Sequence, residues 1–228
     1  MKIGIIVAMS KELALLLNII ENKEESVVNG IKIYHGCVGK NEVYAMQCGI
    51  GKVNAAVGTL SLIEICKPDV VINTGVAGGA DRQVRRMDVV VGSEIAYHDV
   101  WCGPGNDYGC VEGLPLFYRS DQALTEIATR IADKGRILSG LICSGDKFIS
   151  TVEEVADIKS HFSEALAVDM ESAAIAQVCH LKGVSVFVLR IISDTPGAEA
   201  DNYSQYTDFW GTAPVHTFEI LSDILSQL

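Results

Sequence analysis

Four carboxylates stand where apolar runs of strand length give way to turns or helices: Glu12 after "KIGIIVAMSK", Asp169 and Glu171 within "AVDMESAAIA", and Asp194 after "VSVFVLRIIS". A charged group is costly to desolvate without a partner, so these are either solvated ends of elements or parts of one site. Two carboxyl groups in different surroundings can divide acid and base work, burial keeping one protonated while the other stays ionised. Each also has a plainer reading. Glu12 and Glu171 fall at helix starts, where an acid complements the macrodipole, and Asp194 precedes the turn-forming Thr195-Pro196-Gly197. Taken together, carboxylates at several strand ends favour a shared site.

Other chemistries lack their signatures. The five histidines (35, 98, 161, 180 and 216) show no paired metal spacing, so no metal is expected. There is no G-x-S-x-G elbow, and no cysteine–histidine arrangement suggests a nucleophile. Gly49-Ile50-Gly51-Lys52 lacks the earlier glycine of a phosphate-binding loop, and Val53 replaces its Ser/Thr. Gly75-Val76-Ala77-Gly78-Gly79 is not a dinucleotide fingerprint, though glycines here could bring main-chain N–H groups close to a ligand; tight turns are the other reading. What remains is a site built from carboxylates, without metal or cofactor.

The elements that must position these groups alternate along the chain. "KIGIIVA" reads as a strand, and Leu13, Leu16, Leu17 and Ile20 line one face of a following helix. Turn signals at Asn29-Gly30 and Gly39-Lys40-Asn41 separate alternating segments, which predicts a hairpin or meander. "KVNAAVGTLSLIEIC" reads as an amphipathic helix ended by Pro68, with the buried strand "DVVINTG" after it. "DVVVGSEIAYH" is another strand, and residues 99–117, rich in Gly, Pro and aromatics, are too long for a simple connection and read as a functional loop. A helix over about 121–134, the strand "ILSGLICSG", a helix over about 151–162, the strand "ALAVDM", a helix, the strand "VSVFVLRII" and a C-terminal helix follow. The expectation is an α/β fold, one domain over residues 1–228, with a mixed central sheet flanked by helices on both faces. In such sheets ligands gather beyond the carboxyl ends of strands.

Composition agrees with one domain and narrows the partners. Of 228 residues 49% are hydrophobic, enough for a sizeable core, and the net charge of −11 argues against nucleic acid or an acidic membrane surface. Seven scattered cysteines without a C-x-x-C pair read as reduced thiols of a cytoplasmic protein. Lys11 and Glu12 interrupt the apolar start, which argues against a signal peptide, and no apolar run approaches the roughly 20 residues of a membrane span.

The blocks "MKIGIIVAMSKE", "GIGKVNAA", "CKPDVVINTGVAGG", "ICSGDKFI", "AVDMESAAIAQVCH" and "RIISD" resemble, in order and spacing, those of bacterial 5'-methylthioadenosine/S-adenosylhomocysteine nucleosidases, of the purine nucleoside phosphorylase/uridine phosphorylase superfamily. The resemblance runs from residue 1 to about 220. It implies a nucleoside phosphorylase-like three-layer fold and hydrolysis of the N-glycosidic bond of an adenine nucleoside, without cofactor. It also implies a homodimer in which loop 99–118 completes the partner's pocket. By the same resemblance Glu12 activates water with Arg190 beside it, and Asp194, oriented by Ser193, serves adenine N7 and the 6-amino group. Met170 would pack on the ribose and Glu171 bind its hydroxyls, with Asp169 adjoining; Phe148 and Ile149 would stack on and bond to adenine. Met9, Ile50 and Tyr206 match pocket walls, and Val76, Ala77 and Gly78 are counted with the binding residues.

The chain departs from the family pattern where Val76 stands in place of a common serine, where Asp169 replaces the commoner glutamate, and in a shorter loop after Tyr97. Two alternatives are a phosphorylase and a non-catalytic nucleoside binder on the same scaffold. A carboxylate at position 12 would repel a phosphate dianion and favours neutral water. A storage protein has no need of an acid and a base together.

Overall fold

The computed structural model describes residues 1–131, 136–196, 202–212 and 214–228. Strand β1 (Lys2–Val7) is followed by α1 (Ser10–Leu16), then by a meander of β2 (Glu21–Val28), β3 (Ile31–Val38) and β4 (Asn41–Gln47). Asn29 (φ 52°) and Gly30 (φ 80°) both take positive φ, the requirement of a tight hairpin turn whose twist matches its strands. Helix α2 (Lys52–Cys66) leads to β5 (Val70–Gly79), which absorbs the whole glycine-rich segment as its last residues.

Next come β6 (Val89–Tyr97), the short β7 (Tyr118–Arg119), α3 (Gln122–Arg130), β8 (Ile137–Ser144), α4 (Val152–His161), β9 (Ala165–Asp169), α5 (Ser172–Lys182) and β10 (Ser185–Asp194). The expected end of α3 near 134 falls outside the described residues. The C-terminal helix expected is described as two stretches, α6 (Asn202–Thr212) and α7 (Pro214–Ser226), on either side of residue 213, which lies outside the described residues.

Among the described residues all ten strands join one mixed sheet. β1 pairs in parallel with β4 and β5, and β5 pairs in parallel with β10. β10 turns antiparallel onto β6, β6 and β8 run parallel, as do β8 and β9, and β9 returns antiparallel to Gly78 and Gly79 of β5. Strands β5, β10, β6, β8 and β9 therefore close a ring, which an open-sheet reading of the sequence does not contain. Helices cover both faces. α2 and α5 pack through Ala55, Leu62, Ala173 and Ile175 on one, while Leu16 of α1, Leu124 of α3 and Leu221 and Ile224 of α7 fill the other.

Helix α2 departs from the amphipathic expectation. Its inner face is buried at Ala55, Thr59 and Leu62, but its outer face carries Val53 and Val57, 73% and 58% exposed. Residues 99–117 form an irregular loop, held down where Tyr108 stacks on His161 (centroids 3.8 Å apart) and donates its hydroxyl to the His98 carbonyl at 2.9 Å.

Candidate active site

The carboxyl ends of β1, β5, β9 and β10 border one cavity of about 190 Å³. Met9 and Glu12 enter from β1 and α1, Val76, Ala77 and Gly78 from β5, Asp169, Met170 and Glu171 from β9, and Ser193 and Asp194 from β10. Ile50, Phe148, Ile149 and Tyr206 complete the walls. Every residue expected from the sequence lines this cavity except Arg190, which lies behind Asp169. Ala8, Lys147, Val168 and Tyr203 line it as well and were not anticipated.

Glu12 is both a helix cap and something more. Its buried carboxylate accepts the main-chain N–H of Ala8 (3.0 Å) and Met9 (2.9 Å) through Oε2, fixing the start of α1. Its Oε1 accepts the N–H of Val76 on β5 at 3.0 Å, bridging two strands. A carboxylate has about four acceptor positions, so three donors leave one, on Oε1. Burial pushes the Glu12 pKa up, opposed by the nearby Arg190 charge and these N–H donors. Gly75, at φ 151°, makes room for this arrangement: any Cβ there would overlap Glu12 Oε1 and press on Arg190.

Asp169 acts as a hub. Its Oδ1 accepts from the Ser172 hydroxyl (2.9 Å) and from the N–H groups of Ser172 (3.2 Å) and Glu171 (3.3 Å), capping α5. Its Oδ2 receives Nε and Nη2 of Arg190, each at 2.8 Å. Arg190, 2% exposed, also donates to Asn73 Oδ1, and Asn73 Nδ2 reaches back to the Ile6 carbonyl at 3.1 Å. Thus both Asp169 oxygens are engaged by protein donors, and the buried charge of Arg190 is matched, as a buried ion must be.

Glu171 is left nearer the cavity, its Oε1 accepting only the Gly51 N–H at 2.9 Å among the described bonds. Burial, then the adjacent Asp169 charge, raises its pKa to about 7. The Gly49-Ile50-Gly51-Lys52 turn thus serves the site by a main-chain donor, with Gly51 at φ 94°, where a side chain would be strained.

Asp194 is 2% exposed, and burial raises its pKa against the opposing Ser193 hydroxyl, Asn202 amide and Arg86 charge. Ser193 Oγ donates to Asp194 Oδ1 and also approaches the Ala77 carbonyl at 3.3 Å. Among the described residues no hydrogen-bond partner meets the buried Asp194 Oδ2, the Asn202 Nδ2 lying instead on the Ile149 carbonyl at 3.3 Å. A proton on this carboxyl group therefore belongs on Oδ2. The rim is aromatic and apolar: Phe148, 44% exposed, meets Tyr206 edge to face (centroids 5.8 Å apart), and the Tyr206 hydroxyl lies 3.2 Å from Met9 Sδ. Among the described residues no group of three His, Cys, Asp or Glu is placed to hold a metal.

Beside its mixed sheet, with helices on both faces and a carboxylate-lined pocket at the strand ends, the chain matches the phosphorylase superfamily over residues 2–226. The 5'-methylthioadenosine/S-adenosylhomocysteine nucleosidase of Actinobacillus succinogenes is 41% identical over 100% of both chains, and that of Desulfotalea psychrophila 38% identical over 100% of this chain and 98% of its own. The crystal structure of the Neisseria meningitidis nucleosidase of the same name, in complex with methylthio-immucillin-A, superposes with a TM-score of 0.94 at 36% identity, covering 100% of this chain and 99% of that one. The chain belongs to the phosphorylase superfamily and, within it, to the family of these nucleosidases.

Proposed function

We propose that this protein hydrolyses the N-glycosidic bond of 5'-methylthioadenosine and S-adenosylhomocysteine, releasing adenine and the 5'-thioribose. The observation that carries the reading is a pair of buried carboxyl groups in one cavity with different valences left open: Asp194, whose Oδ2 meets no partner among the described residues, and Glu12, with one acceptor position beyond its three N–H donors. Cleavage breaks C1'–N9 with its electron pair going to the purine. Adenine anion is a poor leaving group, and a proton from Asp194 Oδ2 to N7 makes it neutral. Water attacks C1' from the other side of the ring and its proton passes to Glu12 Oε1. Asp194 ends without its proton and Glu12 with one, and exchange with solvent resets both.

The roles read for the supporting groups rest on the resemblance, and the cavity lining of all but Arg190 supports them. Glu171 faces the sugar, where its carboxylate offsets positive charge developing at C1' and accepts from the hydroxyls. Met170 packs on the ribose. Phe148 stacks on adenine, Ile149 supplies main-chain bonds to it, and Ser193 orients Asp194. Met9, Ile50 and Tyr206 form the 5' wall, with Val76, Ala77 and Gly78 as the floor; Arg190 and Asp169 brace the site from behind. Phosphorolysis is disfavoured because Arg190 is already committed to Asp169 and Asn73, and Glu12 would face the phosphate.

The protein is read as a cytoplasmic homodimer whose loop 99–118 completes the partner's pocket. Exposed Ile50, Val53, Val57 and Trp101 support this, since an apolar surface of that kind on α2 and the loop calls for cover. Seven free thiols fit a reducing compartment, and no helix among the described residues is long and apolar enough to cross a membrane. Adenine release from both nucleosides, followed with and without phosphate, tests the reaction. Free thioribose at equal rates is expected; dependence on phosphate, with a sugar 1-phosphate as product, would refute hydrolysis.

A further inference from the structure

Outside the cavity, one side chain joins the two elements that hold the acid and the nucleoside wall. Arg86 lies in the turn between β5 and β6, where Asp88 N–H meets the Arg85 carbonyl (3.0 Å) and Asp88 Oδ2 accepts the Arg85 N–H (2.9 Å). The next residue, Met87, takes φ 74°, a conformation non-glycine residues adopt only at a cost. That strained turn is pinned to β10 just before the acid: Met87 N–H donates to the Ile192 carbonyl and Ile192 N–H to the Asp88 carbonyl, both at 2.9 Å. The guanidinium of Arg86 then donates through Nε to the Ser193 carbonyl (3.1 Å) and through Nη2 to the Gln205 carbonyl on α6 (3.2 Å). Gln205 Oε1 in turn accepts from the N–H and hydroxyl of Thr195, each at 3.3 Å, and Asn202 Nδ2 reaches the Ile149 carbonyl at 3.3 Å. Helix α6 brings Tyr203 and Tyr206 to the cavity.

We infer that Arg86 is a positioning residue, a two-pronged clamp that sets Asp194 at the end of β10 and holds α6 against it so that the purine pocket is formed before substrate enters. The inference rests on the reading of Asp194 as the acid. Arginine suits the task because its planar fork can serve two carbonyl oxygens at once, which a lysine ammonium on a flexible stem does less well. The charge has a second effect. Among the described residues the groups facing Asp194 are Arg86 from the β5–β6 turn, Tyr206 from α6, and the neutral donors Ser193 and Asn202. Of these Arg86 carries the positive charge, and it favours the ionised carboxylate against the burial that favours the acid.

The test compares Arg86→Met and Arg86→Lys with the unmodified protein, measuring adenine binding by calorimetry and kcat and KM for 5'-methylthioadenosine across pH. Both variants are expected to bind adenine about three- to tenfold more weakly and to raise KM in step, the loss of charge-assisted bonds to carbonyls. Only Arg86→Met should move the basic limb of kcat/KM, upward by roughly 0.3–1 pH unit, because only it removes the charge that opposes protonation of Asp194. Folded variants with unchanged adenine affinity, KM and pH profile would overturn the inference, and so would a lowered melting temperature as the sole effect. An unmodified protein that cleaves neither nucleoside would instead sink the functional reading, while adenine binding would still decide whether the clamp exists.

Discussion

Glutamine at position 12 separates two jobs that one carboxylate holds together. In the native protein Oε2 takes two N–H donors from Ala8 and Met9 and Oε1 takes one from Val76. Glutamine offers one carbonyl oxygen, with room for two donors, and an NH₂ group that would confront the third. A buried donor left unmet costs about 1–3 kcal/mol. Part of this is offset, because the neutral amide escapes the burial penalty that raises the Glu12 pKa. A net loss near ~1 kcal/mol is expected, a fall of roughly 2–4 °C in melting temperature for a chain of this size. The chemical loss is of another order: without a base for water, turnover should fall by roughly 10²–10⁴, with adenine affinity little changed. Melting by fluorimetry, adenine release and calorimetric adenine binding read the three quantities separately. A Glu12→Gln protein that melts a few degrees early yet turns over within tenfold of normal would refute the base role and leave Glu12 as a cap and cross-strand brace.

Two further substitutions probe the electrostatics. Glu171 has a pKa raised to about 7 from 4.5, so its neutral form is favoured by folding; that stability is present in full below the lower value and is lost as pH rises through the upper one. Glu171→Gln should therefore match the native protein near ~pH 4 and exceed it by roughly 3 kcal/mol above ~pH 8, while losing turnover; denaturation curves showing the same difference at both pH values would contradict this. Asp169→Asn should cost about 3–5 kcal/mol, because Arg190 keeps a buried charge without its carboxylate; an unshifted denaturation midpoint would show that Asp169 is not the hub its bonds describe.

How much of this was legible beforehand depended on how local each feature is. Strand ends are written in local patterns, so Glu12, Asp169, Glu171 and Asp194 could be picked out, and resemblance then supplied their company. For Glu12 the cap and the site residue, posed as rivals, are the same carboxylate using different oxygens. Pairings between distant strands have no local signature, which is why the ring closed by β10 against β5 and β6 was not foreseen. Asn73 did leave a signal, a lone amide within the apolar "DVVINTG", and its partner proves to be Arg190. Val53 and Val57 were absorbed into an amphipathic pattern because a sequence records which residues are apolar but not what covers them. Arg86 had no reason to stand out, since its role depends on the fold that brings it beneath Ser193.

The central claim is that Asp194 drives cleavage by protonating N7, and a cycle over enzyme and substrate tests it. The single-turnover rate of adenine release from 5'-methylthioadenosine by the native protein is compared with that of Asp194→Asn, and both with cleavage of the analogue in which N7 is replaced by carbon. Either change alone should lower the rate by at least ~10². Because both delete the same proton transfer, making them together should cost little beyond either one. Losses that multiply, or an analogue that the native protein cleaves at near the normal rate, would contradict the account.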